Sequence, residues 1–107
     1  MIVATTENIA GHRVRETFGQ CFGVVVRSRG VAGNFAAGLS SVVGGEIKEY
    51  TSMVEESRRH ALDRLVENAR SMGANAVIMM RFDGSEMGNS MSEVVAYGTA
   101  VWIEPAA

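Results

Sequence analysis

Across residues 46–72 apolar side chains return every three or four positions. Ile47, Tyr50, Val54, Ala61, Leu65, Ala69 and Met72 form one stripe, widened by Met53, Leu62 and Val66. That period marks an amphipathic helix, which is stable in water only when its stripe is buried against another layer. The chain must therefore supply a sheet or a second helix for it to rest on. The ends are specified too: Glu46 and Glu49 stand where the helix dipole favours anions, Arg70 falls in the last turn, and Gly73 offers a left-handed cap. On the outer face Glu55 precedes Arg59 by four residues and Glu67 precedes Arg70 by three, pairs worth about 0.2–0.5 kcal/mol each. Some 27 residues of helix extend for about 40 Å. A compact chain of this size has a radius of gyration of about 13 Å, so a sphere of equal mass is only about 33 Å across and the helix overhangs it.

The remaining segments read mainly as strands. Residues 1–5 form a short apolar strand, and residues 14–28 a longer one with Val14, Phe18, Phe22, Val24 and Val26 at even positions. Residues 21–26 are apolar on both faces apart from Gly23, which predicts cover on both sides. Residues 30–45 are rich in Gly, Ala and Ser; the spacing of Phe35, Leu39, Val42 and Val43 predicts a short helix ended by Gly44 and Gly45. With five glycines in sixteen residues, that segment needs a closely packed neighbour to hold its shape, and a bulky residue at Gly38 is expected to weaken assembly. Residues 75–83 read as a central strand, residues 84–89 as a hairpin loop and residues 91–104 as a last strand stopped by Pro105, with Gly98 marking a bulge or a close backbone approach. The expected order is β-β-α-α-β-β: a single α+β domain over residues 1–107, with one short and one long helix on a small antiparallel or mixed sheet.

Composition narrows the partners. A chain of 107 residues with 47% hydrophobic and 21% charged residues is an ordinary folded domain. A net charge of −2, with both signs mixed, gives no cationic footprint for nucleic acid or an anionic membrane. One cysteine, and no long apolar run near the start, predict a cytoplasmic chain with neither signal peptide nor membrane span. The overhanging helix, the doubly apolar strand and the uncharged segment 30–45 together predict a homo-oligomer. An elongated monomer with a bent helix is the alternative.

Residues able to carry chemistry are few and scattered. Cys21 stands alone in an apolar strand and reads as a buried structural thiol; only a symmetric assembly could gather several copies of it. Glu56 and His60 lie four apart, the spacing of a metal pair, but Arg59 and Arg64 crowd the same face and repel a cation, so they read as a solvated charge row. His12 reads as exposed. Asp83, Glu86 and Glu93 could supply hard oxygen ligands or an acid and base pair, yet they flank a hairpin loop, where acidic residues ordinarily solubilise. Met53, Met72, Met79 and Met80 read as core fillers, while Met87 and Met91 lie near the exposed hairpin. Gly44 and Gly45 could offer amides to an anion, but Glu46 and Glu49 follow them, so they read as a helix junction. No catalytic residue, metal ligand or cofactor is assigned from these patterns.

Three blocks occur in a fixed order: Gly44-Gly45-Glu46-Ile47-Lys48-Glu49-Tyr50, then Gly73-Ala74-Asn75-Ala76-Val77-Ile78, then Glu93-Val94-Val95-Ala96-Tyr97-Gly98-Thr99-Ala100-Val101. With the helix between the first two, they resemble the YbjQ family, which carries a heavy-metal-binding label, and the resemblance spans almost the whole chain. It implies a small α+β unit that assembles into a ring, commonly a pentamer, with short strands helping subunits to join. Many relatives carry Asn, Arg and Asp where this chain has Gly30, Gly33 and Asn34, and Arg and Asn where it has Ser40 and Ser41. That polar feature is stripped out here, and the metal label finds no ligand cluster among these residues. The function expected is that of a non-enzymatic cytoplasmic homo-oligomer, a pentamer, holding a divalent metal ion or small ligand where subunits meet. The alternative is a small enzyme whose site forms between subunits from Asp83, Glu86 or His60. The block 93–101 is expected to be structural, with Tyr97 sharing a face with Val95, Val101 and Ile103 while Gly98 and Ala100 leave room on the other.

Overall fold

The amphipathic stripe finds its layer in a four-stranded sheet. In the computed structural model, which describes residues 1–28, 48–87 and 91–106, the elements are β1 (Ile2–Val3), β2 (His12–Ser28), α1 (Lys48–Ser71), β3 (Ala76–Met87) and β4 (Met91–Pro105). The sheet is mixed and runs β1-β3-β4-β2. β1 lies parallel to β3, and β4 pairs antiparallel with both β3 and β2.

This corrects the expected order to β-β-α-β-β, with one helix among the described residues. The short helix expected over residues 30–45 lies outside those residues, as do Gly38, Gly44 and Gly45. Its sequence basis was thin, because each of five glycines in sixteen residues costs a helix about 1 kcal/mol relative to alanine. The hairpin is also longer than expected. Gly84 to Met87 pair with Val94 to Met91 instead of forming the turn, since Ser85 and Glu86 suit a solvated ladder as well as a loop.

Ala61, Leu65 and Ala69 face the sheet and are fully buried, joined by Ser57, whose hydroxyl donates to the Met53 carbonyl at 2.9 Å. Beneath them lie Cys21 and Val25 of β2 with Ala96 and Ala100 of β4. The helix approaches most closely over Gly23. A Cβ there would run into the Ala61 carbonyl and the Leu65 amide and lie 2.8 Å from the Arg64 Cβ. The helix ends as expected: Gly73 has φ 95° and donates to the Arg70 carbonyl at 2.9 Å, and the Ala74 amide reaches the Ala69 carbonyl at 3.1 Å. That pair of bonds is a Schellman cap.

Asn75 then starts the ladder with its side chain. Its Nδ2 donates to the Ile103 carbonyl at 2.9 Å and its Oδ1 accepts from the Ile103 amide at 2.7 Å. Further along β3 a bulge opens between Ile78 and Arg81, opposite Gly98. Met79 takes a left-handed φ of 56° in it. Gly98 is a close-approach site: a Cβ there would sit 2.8 Å from Val77 Cγ1 and 2.9 Å from the Ile78 carbonyl.

β2 has 17 residues, which at about 3.3 Å each would reach about 56 Å if straight. The molecule accordingly measures 58 × 24 × 15 Å, with a radius of gyration of 17.3 Å. The 24-residue helix, about 36 Å long, fits within that axis. The overhang reasoned from a sphere therefore falls away, because a long hairpin rather than a ball sets the shape.

Candidate functional site

The two faces of the sheet differ in what covers them. Side chains of Cys21, Gly23 and Val25 point to α1, while Phe22, Val24 and Val26 alternate to the other side. Register places Phe22 beside Tyr97 and Arg81, Val24 beside Val95 and Asp83, and Val26 beside Glu93 and Ser85. Near the chain's start this outer face is sealed, since Ile9 packs on Ala76, Val101 and Ile103. Beyond it the face is open: Phe22 is 49%, Val26 50% and Tyr97 40% exposed. The result is an apolar stripe along β2 and β4 with a polar flank of Arg81, Asp83 and Glu93. The expectation that residues 21–26 need cover on both sides is met on one side by α1 and left unmet on the other within the described residues of a single subunit.

Strand alternation divides the side chains of the acidic trio between the faces, although all three residues border one cleft. Asp83 and Glu93 line a shallow depression of about 120 Å³ with Ser85, whose hydroxyl donates to Glu93 Oε2 at 3.2 Å. Glu86 alternates to the helix side. There α1 lies chiefly over β2, and a cleft of about 360 Å³ remains between the first half of the helix and the far end of the β3–β4 hairpin. Met53 and Val54 form one wall of it, Phe82, Gly84 and Val94 the floor, and Glu86 and Ser92 the opposite rim, with Asp83, Ser85 and Glu93 also bordering it. The Arg58 guanidinium stands over the Phe82 ring, 5.3 Å from its centre.

His60 lies elsewhere, at the β2–α1 junction. Arg27 donates to its Nδ1, and its Nε2 is 3.8 Å from Glu56. The neighbour that matters is thus Arg27, from the strand, rather than Arg59, which pairs with Glu55 at 3.5 Å, or Arg64, which donates to the Val24 carbonyl. An imidazole that accepts from a guanidinium has no lone pair left at Nδ1 for a metal. His12 is partly buried rather than exposed, its Nδ1 donating to the Ala10 carbonyl at 2.9 Å.

Cys21 is buried as expected, with its thiol 3.8 Å from the Gly98 carbonyl. Burial alone pushes its pKa up from the ordinary 9.0, since the apolar surroundings disfavour a thiolate. Because it faces α1 inside its own subunit, copies of it cannot be pooled by symmetry. Met80 fills the core, but Met79, at the bulge, is 42% exposed instead of buried. Met91 is exposed as expected. The reading of Glu93 to Val101 as structural agrees with the packing of Ala96 and Ala100 under α1 and of Gly98 on the bulge.

Among the described residues no group of three His, Cys, Asp or Glu could hold a metal ion, and none of their helices is long and apolar enough to cross a membrane. A soft heavy metal asks for exposed thiolate or imidazole; here the thiol is enclosed and protonated and His60 is engaged by Arg27. Within one subunit, these residues do not fit such an ion. Arg27, Phe82 and the Arg58 that meets Phe82 went unnoticed in the sequence, because no local spacing links them and only the tertiary placement of the strands brings Arg27 and Phe82 to α1.

Known proteins support the fold. A UPF0145 protein of Bradyrhizobium sp. strain ORS 278 is 71% identical over 99% of this chain and 96% of its own length. One from Limosilactobacillus fermentum is 55% identical over 94% of this chain and 89% of its own. One from the archaeon Methanoregula boonei is 54% identical over 98% and 88%. A crystal structure of a Pediococcus pentosaceus protein of unknown function, from the DUF74 family, superposes with a TM-score of 0.59 at 14% identity, covering 97% of this chain and 98% of that one. At that identity it bears on the fold alone. Residues 1–104 match the YbjQ family model, described as "Putative heavy-metal-binding", and the chain belongs to that family.

Proposed function

We propose that the chain works as a non-catalytic homo-oligomer, a pentamer as the family resemblance implies, whose subunits join through the open half of the outer sheet face. The observation that carries this reading is the bare stripe of Phe22, Val24, Val26 and Tyr97. Apolar patches of that kind on a soluble chain mark contact surfaces. The broad face measures 58 × 24 Å, so its open half is on the scale of the roughly 800 Å² per partner that stable interfaces bury. Any divalent metal ion or small ligand held at such a contact draws on groups pooled from several copies. Asp83 and Glu93, beside the stripe, are the oxygen donors such a contact would bring together. The free cysteine suits a reducing, cytoplasmic setting. The enzyme alternative draws on Asp83, Glu86 or His60 in a site between subunits; within one subunit Asp83 and Glu86 border the same cleft, and His60 lies apart from it beside Arg27.

Sedimentation equilibrium at micromolar concentration tests the reading. A multiple of 11.5 kDa is expected for the native chain, and a shift to the monomer mass for Val24→Asp. A native chain that sediments at the monomer mass overturns it.

A further inference from the structure

The cleft on the helix side borders Asp83, Ser85 and Glu93 of the outer-face depression but calls for a different ligand chemistry. From its geometry we infer that it binds a small zwitterion with an apolar side group, of the class of the apolar α-amino acids. Its volume of about 360 Å³ lies at the small end of the roughly 300–1,000 Å³ of ligand pockets. The floor is flat and apolar at Phe82 and Val94. Between them a Cβ added to Gly84 would meet only the Glu93 carbonyl, at 3.5 Å, so the backbone leaves room above it. Met53, adaptable in shape, closes the wall.

The rims carry opposite charges. On the helix rim Arg58 is held over the Phe82 ring and has no carboxylate partner among the described residues, whereas its helix neighbours Arg59 and His60 face Glu55 and Glu56. On the hairpin rim stand the Glu86 carboxylate and, paired with it across the strands, Ser92; Asp83, Ser85 and Glu93 also border the cleft, but strand alternation turns their side chains toward the other face. A purely anionic ligand meets Glu86, and a purely cationic one meets Arg58. A molecule with a carboxylate and an ammonium on one carbon satisfies both rims, its carboxylate on the planar guanidinium fork and its ammonium toward Glu86 and the Ser92 hydroxyl. Its side group then lies on Phe82, Val94 and Met53.

L-phenylalanine is the probe, followed by amide chemical shifts and calorimetry, with 3-phenylpropionate and 2-phenylethylamine as the two single-charge analogues. Saturable binding is expected below about 10 mM, with shifts centred on Phe82, Gly84 and Val94. Each analogue, and L-phenylalanine against Arg58→Gln, should bind at least about tenfold more weakly. Arg59→Gln, which disturbs a pair facing solvent, should bind like the native chain, and melting curves report whether each variant is folded. No saturable shift with L-phenylalanine, equal affinity for 3-phenylpropionate, or undiminished binding by a folded Arg58→Gln would each overturn the inference. The mass measured in the same samples reports on assembly separately, so the failure of one reading leaves the other standing.

Discussion

Where α1 crosses β2 most closely, the covered face of this sheet and its open face are built from different kinds of side chain. Under the middle of α1 the strands offer Gly23, Cys21, Ala96 and Ala100, and the helix answers with Ala61, Ser57 and Ala69 around Leu65, while Val25, Val77, Met80 and Leu62 fill the margins. Two backbones can approach that closely only where side chains are missing. On the open face the same strands carry Phe22, Val24, Val26, Val95 and Tyr97. Large apolar groups there have nothing of their own described subunit to rest on. Small residues thus mark the side where the covering layer is covalently attached and fixed at short range, and large ones the side that the proposed assembly would cover.

Substitutions at matched positions sharpen that contrast. The largest effect is expected at Gly23, where new side-chain atoms would meet helix backbone rather than a movable side chain. Gly23→Val should cost at least about 3 kcal/mol or prevent folding, measured by circular dichroism melting. An unchanged midpoint would show that α1 does not lie over this position. Gly98→Ala should cost less, about 1–3 kcal/mol. Its nearest neighbour, Val77 Cγ1 at 2.8 Å, is a side chain that can give somewhat, although the Ile78 carbonyl cannot. Denaturant titration measures it, and a neutral result would mean that the bulge relaxes freely.

On the open face the order reverses between stability and assembly. Phe22→Ser and Val24→Ser, studied at concentrations where subunits are apart, should each change stability by no more than about 0.5 kcal/mol. At micromolar concentration they should lower the sedimenting mass. A large loss of subunit stability would instead show that the face is already covered from within. The smallest effect concerns Cys21. Burial raises its folded-state pKa above 9.0, so the folded state holds its proton longer than the unfolded one. The associated stability is fully present below the unfolded value and is lost as pH rises through the folded one. Cys21→Ala should therefore lose stability less steeply than the native chain in denaturant titrations above about pH 9. Equal slopes would mean that the thiol reaches water.

What could be read in advance follows a physical divide. The helix, its Gly73 cap and the strand positions are local patterns of period 3.6 or 2, so residues 46–72 and 14–28 announced themselves. The left-handed Met79 did not, because a bulge arises from pairing two residues against Gly98 and leaves no mark on the methionine itself. The apolar stripe passes over Ser57 between Val54 and Ala61, yet this residue is buried with its hydroxyl satisfied by the helix's own Met53 carbonyl. The sites were least legible. Asp83, Glu86 and Glu93 read as residues flanking a loop; instead they stand on paired strands whose alternation turns their side chains to two faces while all three border one cleft. Arg58 and Phe82 meet only because α1 crosses toward the hairpin, a tertiary fact with no sequence period.

One small feature bears on how such a chain can associate at all. Arg64 donates to the Val24 carbonyl at 2.5 Å and Asn68 to the Phe22 carbonyl at 2.6 Å, so two acceptors of the outermost long strand are already occupied by the helix. A strand arriving to extend the sheet sideways would have to displace them, one of them a charged donor. Growth by endless strand addition, the route to fibres, is therefore obstructed at the very stretch whose side chains are stickiest. Copies meeting there are steered to stack against the flat of the sheet, a contact that permits a finite, closed particle.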